Sequence, residues 1–161
     1  MLDVLGDTLG LRMITLEMFD VTDETRMALA RTIRFAVFVD EQRVPPEIEL
    51  DEHDTIDAQA LHVLARIDGE IVGTGRFYMR SDEGVQIGRM AVLRAHRGSG
   101  VGRAMLDALV AQARLRGCAR VVLHAQTHAI GFYERAGFRK HGPEFDDAGI
   151  AHVEMIRMLL G

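Results

Sequence analysis

Apolar positions along the chain switch between two periods, and the switches mark the elements. Leu11 to Phe19 alternates loosely between apolar and polar residues, the two-residue period of a strand. From Thr22 or Asp23, either of which suits a helix N-cap, Met27, Ala30, Ile33, Arg34 and Val37 recur at helical spacing. That helix runs on towards Asp40-Glu41-Gln42 and has to stop before Pro45-Pro46. Glu47 to Asp57 follows neither period and reads as an irregular loop or a single turn.

Strands dominate the next stretch. Leu61 to Ile67, Asp68-Gly69 and Glu70 to Met79 form a hairpin pattern, because Asp-Gly supplies the tight-turn conformation. Ser81 to Gly84 turns into a strand over Val85 to Leu93. Gly98 to Arg116 predicts a helix whose one face carries Val101, Met105, Leu106, Leu109, Val110 and Ala113, ended by Gly117. Arg120 to Ala125 is a short strand of the buried type. A helix over Thr127 to Ala136 ends at Gly137, Phe138 to His141 begins another strand, and His152 to Leu159 closes the chain as a hairpin strand. The order β-α-(α)-β-β-β-α-β-α-β-β predicts the α/β (α+β) class, a mixed sheet with helices on both faces.

Composition adds bounds. The 161 residues suit one domain over 1–161, with 1–10 as a flexible lead. The single cysteine, Cys118, forbids an intrachain disulfide and favours a reducing compartment. The first residues lack the basic and long apolar regions of a signal peptide, and no apolar run is long enough for a membrane span. These features point to the cytoplasm, with no membrane partner. A net charge of −5 argues against nucleic acid as a partner. The charge is unevenly placed. Residues 37–60 hold eight acids against Arg43 alone, and residues 88–120 hold seven arginines against Asp107 alone.

The segment with most chemistry runs from Arg89 to Arg103, a strand entering a glycine-rich turn that opens a helix. Free N–H groups at a helix start bind phosphate readily, and glycines let backbone approach an anion. No lysine completes a Walker loop here. A dinucleotide fingerprint wants glycine where Arg103 stands and an acid about 20 residues on, where Cys118 to Val121 stand. That disfavours a nucleotide-dependent oxidoreductase. Instead Arg97-x-x-Gly100-x-Gly102, after Met90-Ala91-Val92, resembles the acetyl-CoA signature of the GNAT superfamily of N-acetyltransferases. Ala129 to Phe138, with Phe132, Tyr133, Gly137 and Phe138, resembles that superfamily's second motif, in the right order and about 30 residues away. Phe35 to Pro45, Asp51, Asp54 and His152 to Met155 are similar to its ElaA-type branch.

The resemblance implies a GNAT-like, mostly antiparallel sheet of six to seven strands. It also implies acetyl-CoA as co-substrate, an amine acceptor and no metal. Backbone of Met90, Ala91 and Val92 would pair with the pantetheine arm. Arg97, Gly98, Ser99, Gly100, Val101, Gly102 and Arg103 would hold the pyrophosphate. Gln126 and Phe132 would flank the arm, and Tyr133 would protonate the departing thiolate. Many members are dimers, so a homodimer is a state to test. The glutamate that serves many relatives as base is replaced by Gln86, leaving Glu52, Glu154, His128, His152 or no dedicated base. The arginine run would face coenzyme phosphates, and the acidic run, with Glu49, Asp51 and Glu154 near the acceptor, would hold a cationic amine. A non-catalytic acyl-CoA-binding module on the same fold is the alternative. Thiol release separates the two.

Overall fold

Asp23 caps the first helix as its residue type suggests, accepting the backbone N–H of Arg26 at 3.0 Å. The structure, a computed structural model, describes residues 2–6 and 13–159. Its strands are β1 (Leu2–Gly6), β2 (Met13–Phe19), β3 (Leu61–Ile67), β4 (Glu70–Met79), β5 (Gly84–Val92), β6 (Arg120–Gln126), β7 (Arg139–Lys140), β8 (Phe145–Asp147) and β9 (Ile150–Met158). The α-helices are α1 (Glu24–Arg34), α2 (Pro46–Glu49), α3 (Val101–Leu115) and α4 (Ile130–Arg135). One sheet takes the order β1-β2-β3-β4-β5-β6-β9-β7, and β8 also pairs with β9. Only β5 and β6 run parallel among the described pairs. This is the mixed sheet that the pattern predicts, and it is mostly antiparallel as the resemblance implies.

The count is nine rather than six or seven, and the added strands are short. β8 forms a hairpin with β9 through Ala148 and Gly149, both at positive φ. β1 lies where the sequence suggests a flexible lead: Leu2–Gly6 pair antiparallel with Glu17–Met13. An unpaired edge of β2 offers a row of backbone donors and acceptors, and a five-residue stretch suffices to use them. Residues 7–10 of that lead, and Leu11 and Arg12 of the first predicted strand, lie outside the described residues.

Alternation along the strands sorts the core into two layers. Val63, Ala65, Phe77, Ile87, Leu123 and Met155 meet Met105, Leu106 and Leu109 of α3 on one face. Leu64 and Phe19 meet Met27 and Ala30 of α1 on the other. Each fully buried side chain of this size contributes about 1.5–3 kcal/mol relative to exposure. The helical face of α1 ends on a cation, Arg34, whose side chain is 1% exposed. From there the chain winds into a π-helix over Phe35–Glu41, where the apolar spacing had pointed to continued α-helix.

Arg34 decides how the acidic segment sits. Its Nε meets Glu49 Oε1 at 2.5 Å, its Nη1 and Nη2 clasp Asp54 at 2.6 and 2.9 Å, and Nη2 also reaches the Glu49 carbonyl. Arg76 on β4 adds a second clasp, with Nη1 on Asp54 and Asp51 at 2.7 Å each and Nη2 on Asp51 at 2.6 Å. Residues 46–57 are thereby pinned over the α1 face of the sheet. Burial alone would raise the Asp54 carboxyl, but the Arg34 hydrogen bonds and the charges of Arg34 and Arg76 outweigh it and hold it well below its ordinary value.

A carboxyl depressed in the folded state stabilises the fold above its unfolded value, here 3.8, and that stability is lost as pH falls through the folded value. Wild-type protein is therefore expected to lose stability progressively below about pH 4. Asp54→Asn should cost about 3–5 kcal/mol at neutral pH, since Arg34 and Arg76 lose a buried counter-charge. It should also flatten the acid limb. Urea unfolding of both proteins at several pH values measures this, and equal stabilities would refute the clasp's role.

Candidate active site

Arg89 has φ +52 in the middle of β5, and this left-handed residue makes a bulge. The pairing of β4 with β5 shifts register there, between Thr74 and Arg76. Gly75 sits opposite the bulge because a Cβ on it would lie 2.4 Å from the Met90 sulfur. The parallel pairing of β5 with β6 stops just before the bulge, at Ile87 and Leu123, although β5 continues to Val92 and β6 to Gln126. The two strands therefore splay. The gap opens a cleft of about 970 Å³, walled by the π-helix, the glycine turn, α4 and the β8–β9 turn.

On the α3 side of the gap stands the glycine turn. Gly98 and Gly100 adopt φ +77 and +90, a conformation in which a side chain is strained. Gly100 caps α3 without a side-chain acceptor, which leaves the first N–H groups of the helix available to an anion. Every residue assigned from sequence to the coenzyme lines this cleft except Ser99, whose hydroxyl turns back onto the His96 carbonyl. Two of the arginines are already engaged. Arg97 makes two bonds to Glu41, at 2.7 and 2.9 Å, and Arg103 meets Asp107 at 2.9 Å.

Tyr133 projects from α4 between Phe132 and Phe138 and is 9% exposed. Its hydroxyl makes no hydrogen bond among the described residues and lines the cleft. Burial pushes its pKa up to about 12, so it is a proton donor at neutral pH. Gln126 is held by Gln42 across the cleft at 2.9 Å and takes a bond from His128 Nε2. Gln86 accepts Arg80 Nη1 at 2.6 Å, and its amide cannot accept a proton from an ammonium.

The base candidates separate. His152 is buried on β9 and lines the cleft. Its Nδ1 lies 2.7 Å from the Ile150 carbonyl, which can only accept, so in the neutral ring Nδ1 carries the proton and Nε2 the lone pair. Glu52 is exposed beside His53 and does not line the cleft. Glu154 lies between His141 and His124, at 2.7 and 3.7 Å, also outside the lining. His128 lines the exposed mouth.

The acidic run is placed differently from the amine-holding role that the sequence suggests. Glu49 and Asp51 do line the cleft, but Arg34 already hydrogen-bonds the first and Arg76 the second, with Arg89 3.7 and 3.5 Å from them. Likewise Arg89 and Arg97 of the basic run spend charge on the acidic run rather than facing only coenzyme phosphates. Of the missed partners, Arg34 and Arg76, the first had a signal: an arginine at a core position of a helical pattern, which implies a buried counter-ion.

Comparison with known proteins agrees with this geometry. The model of the acetyltransferase (GNAT) domain matches residues 24–159. The chain belongs to the GNAT acetyltransferase family. It is 37% identical over 136 residues to the uncharacterized N-acetyltransferase YjcF of Bacillus subtilis, covering 84% of this chain and 94% of that one. It superposes on ElaA of Escherichia coli with a TM-score of 0.79 at 28% identity, covering 89% and 99% of the two chains. An acyl-CoA N-acyltransferase from Pseudomonas aeruginosa gives 0.77 at 31% identity, with the same coverages.

Membership of the family implies an acyl-CoA and an acceptor as substrates, and this cleft is the candidate site for them. The residues present fit an acyl-CoA: an uncapped helix start behind two left-handed glycines, an unpaired strand segment and an unpartnered phenol. Among the described residues no group of side chains is suited to hold a metal, and no helix is long and apolar enough to cross a membrane.

Gly100→Ala puts a side chain at φ +90 in open space, so its effect comes from backbone strain of about 1–2 kcal/mol. The expected outcome is a Tm lower by roughly 2–8 °C and acyl-CoA binding weakened about 10-fold. Thermal melts with and without coenzyme A check it; unchanged affinity would show that the turn is not the anion site.

Proposed function

We propose that the protein is an acetyl-CoA-dependent N-acetyltransferase that moves the acetyl group directly to an amine within a ternary complex. The observation that carries this reading is the splay of β5 from β6, which joins the glycine turn on one face of the sheet to the polar groove on the other. Bound acetyl-CoA supplies an activated thioester. Met90 backbone and the Val92 N–H stand at the gap, suited to align a pantetheine arm as an added strand, while the Val92 carbonyl accepts Arg97 Nε at 3.0 Å and would have to exchange it. The α3 N-terminus and the turn Gly98–Gly102 hold the pyrophosphate.

His152 Nε2 takes a proton from the acceptor ammonium, freeing the lone pair that attacks, while its Nδ1–H stays on the Ile150 carbonyl. Tyr133 donates a hydrogen bond to the leaving sulfur and then its proton. Burial keeps the proton on the Tyr133 hydroxyl while the sulfur is still part of the thioester, because an uncharged thioester sulfur is a poor proton acceptor. Hydrogen-bond donation therefore comes first, and transfer follows as charge accumulates on sulfur. Cys118, buried in the connection between α3 and β6 with its pKa raised by that burial and outside the cleft lining, is no nucleophile for a two-step exchange.

Thiol release from acetyl-CoA over a panel of amines tests the activity. Amine-dependent release with intersecting initial-velocity lines is expected. Parallel lines would refute direct transfer, and binding without release would leave a non-catalytic acyl-CoA module. Tyr133→Phe and His152→Gln should each lower kcat by about 10²-fold while the coenzyme Kd changes little. Wild-type kcat in either variant would remove that residue's role.

A further inference from the structure

Arg34, Arg76 and Arg89 face Glu49, Asp51 and Asp54 on the acceptor wall of the cleft, and their formal charges cancel. Their hydrogen bonds do not. All three guanidinium nitrogens of Arg34 are bonded, as are both Nη atoms of Arg76. Arg89 bonds only through Nε, to the Glu49 carbonyl at 3.1 Å. Its nearest carboxylate oxygens are 3.5 and 3.7 Å away, and both belong to groups already taken by the other two arginines. Nη1 and Nη2 of Arg89 thus make no hydrogen bond among the described residues, and the side chain lines the cleft 30% exposed.

The backbone aims this fork. The left-handed bulge turns Arg89 towards the acidic segment and the acceptor groove, and a non-glycine residue holds that conformation only where its surroundings enforce it. Burial and the neighbouring Arg76 and Arg34 charges pull the Arg89 pKa below its ordinary value, so its local compensation is incomplete. Of the acids lining the cleft, Glu41, Glu49 and Asp51 each carry a guanidinium. Asp147, exposed on β8, has no ion pair among the described residues and remains available to an ammonium at the rim.

We propose that Arg89 determines acceptor specificity: its free two-nitrogen fork holds a carboxylate, and the acceptor is a small amino-acid-like molecule that carries amine and carboxylate together. Two parallel N–H donors in a plane match a carboxylate's two oxygens. The inference rests on the acyl-transfer reading of the cleft. A carboxylate at this fork has one other source, the far end of a dicarboxylic acyl group, and the experiment separates the two.

Full-length wild type, Arg89→Gln and Arg89→Lys are compared in thiol release with α-amino acids and ω-amino acids of three to five carbons, each against its amide. Both acetyl-CoA and succinyl-CoA serve as donors. The same acids and amides are titrated calorimetrically into protein loaded with coenzyme A. Wild type should favour the acid over its amide by about 10–100-fold in kcat/KM, expressed in KM. Arg89→Gln should abolish that ratio, Arg89→Lys should restore part of it, and binding should follow the same order. Thermal melts and the coenzyme Kd verify that each variant is folded, and Arg89→Lys is read alone if Arg89→Gln is not. Equal use of acid and amide by wild type, or a preference surviving Arg89→Gln, overturns the proposal. So does an Arg89-dependent preference for succinyl-CoA without one for acidic acceptors. If no amine gives release, the acyl-transfer reading fails, while Arg89-dependent binding of the acids still supports the fork and its absence refutes it.

Discussion

Two buried guanidiniums, Arg34 and Arg76, hold the architecture of the acceptor side. A charge taken out of water costs several kcal/mol unless partners replace its hydration, so these arginines are tolerated only because Glu49, Asp51 and Asp54 surround them. The requirement runs both ways. Residues 46–57 have little apolar surface of their own to bury, with Ile48, Leu50 and Ile56 all exposed. Ion pairing is therefore what lays this segment against the sheet, and with it one wall of the cleft.

The second constraint is the bulge at Arg89. By ending the β5–β6 pairing at Ile87 and Leu123, it converts a continuous sheet into one with a slot. In the proposed reaction the slot would let two substrates meet from opposite faces, the coenzyme from the helix start on the α3 side and the acceptor from the other. Gly75 makes room for Met90 at the same point. The bulge and the clasp meet in Arg89 itself, which reaches the Glu49 carbonyl from the acceptor wall.

What the sequence revealed was chemistry carried by adjacent residues. Gly98, Gly100 and Gly102 have to be contiguous for a backbone anion site, and Phe132-Tyr133 with Gly137-Phe138 form one helix and its stop, so pattern and structure coincide there. Asp68-Gly69 turns as its residue types require, both at positive φ. The two charge runs misled because summing along a segment ignores partners from elsewhere. Glu41 answers Arg97 fifty-six residues away, and Asp54 answers Arg34 and Arg76. Opposite runs that seemed to await two ligands partly neutralise each other. The π-helix was hidden too, since the apolar run Phe35-Ala36-Val37-Phe38-Val39 is compatible with either helical turn. Nor does composition tell Glu52 from Glu49; only the fold places one in solvent and the other against Arg34.

The central claim is that acyl transfer takes place in the slot between β5 and β6. A crystal structure of the complex with acetyl-CoA tests it most directly. The account predicts the pantetheine arm alongside Met90–Val92, the pyrophosphate on the α3 N-terminus and the sulfur within about 3.5 Å of the Tyr133 hydroxyl. A coenzyme whose sulfur lies outside the slot, away from Tyr133, would contradict it.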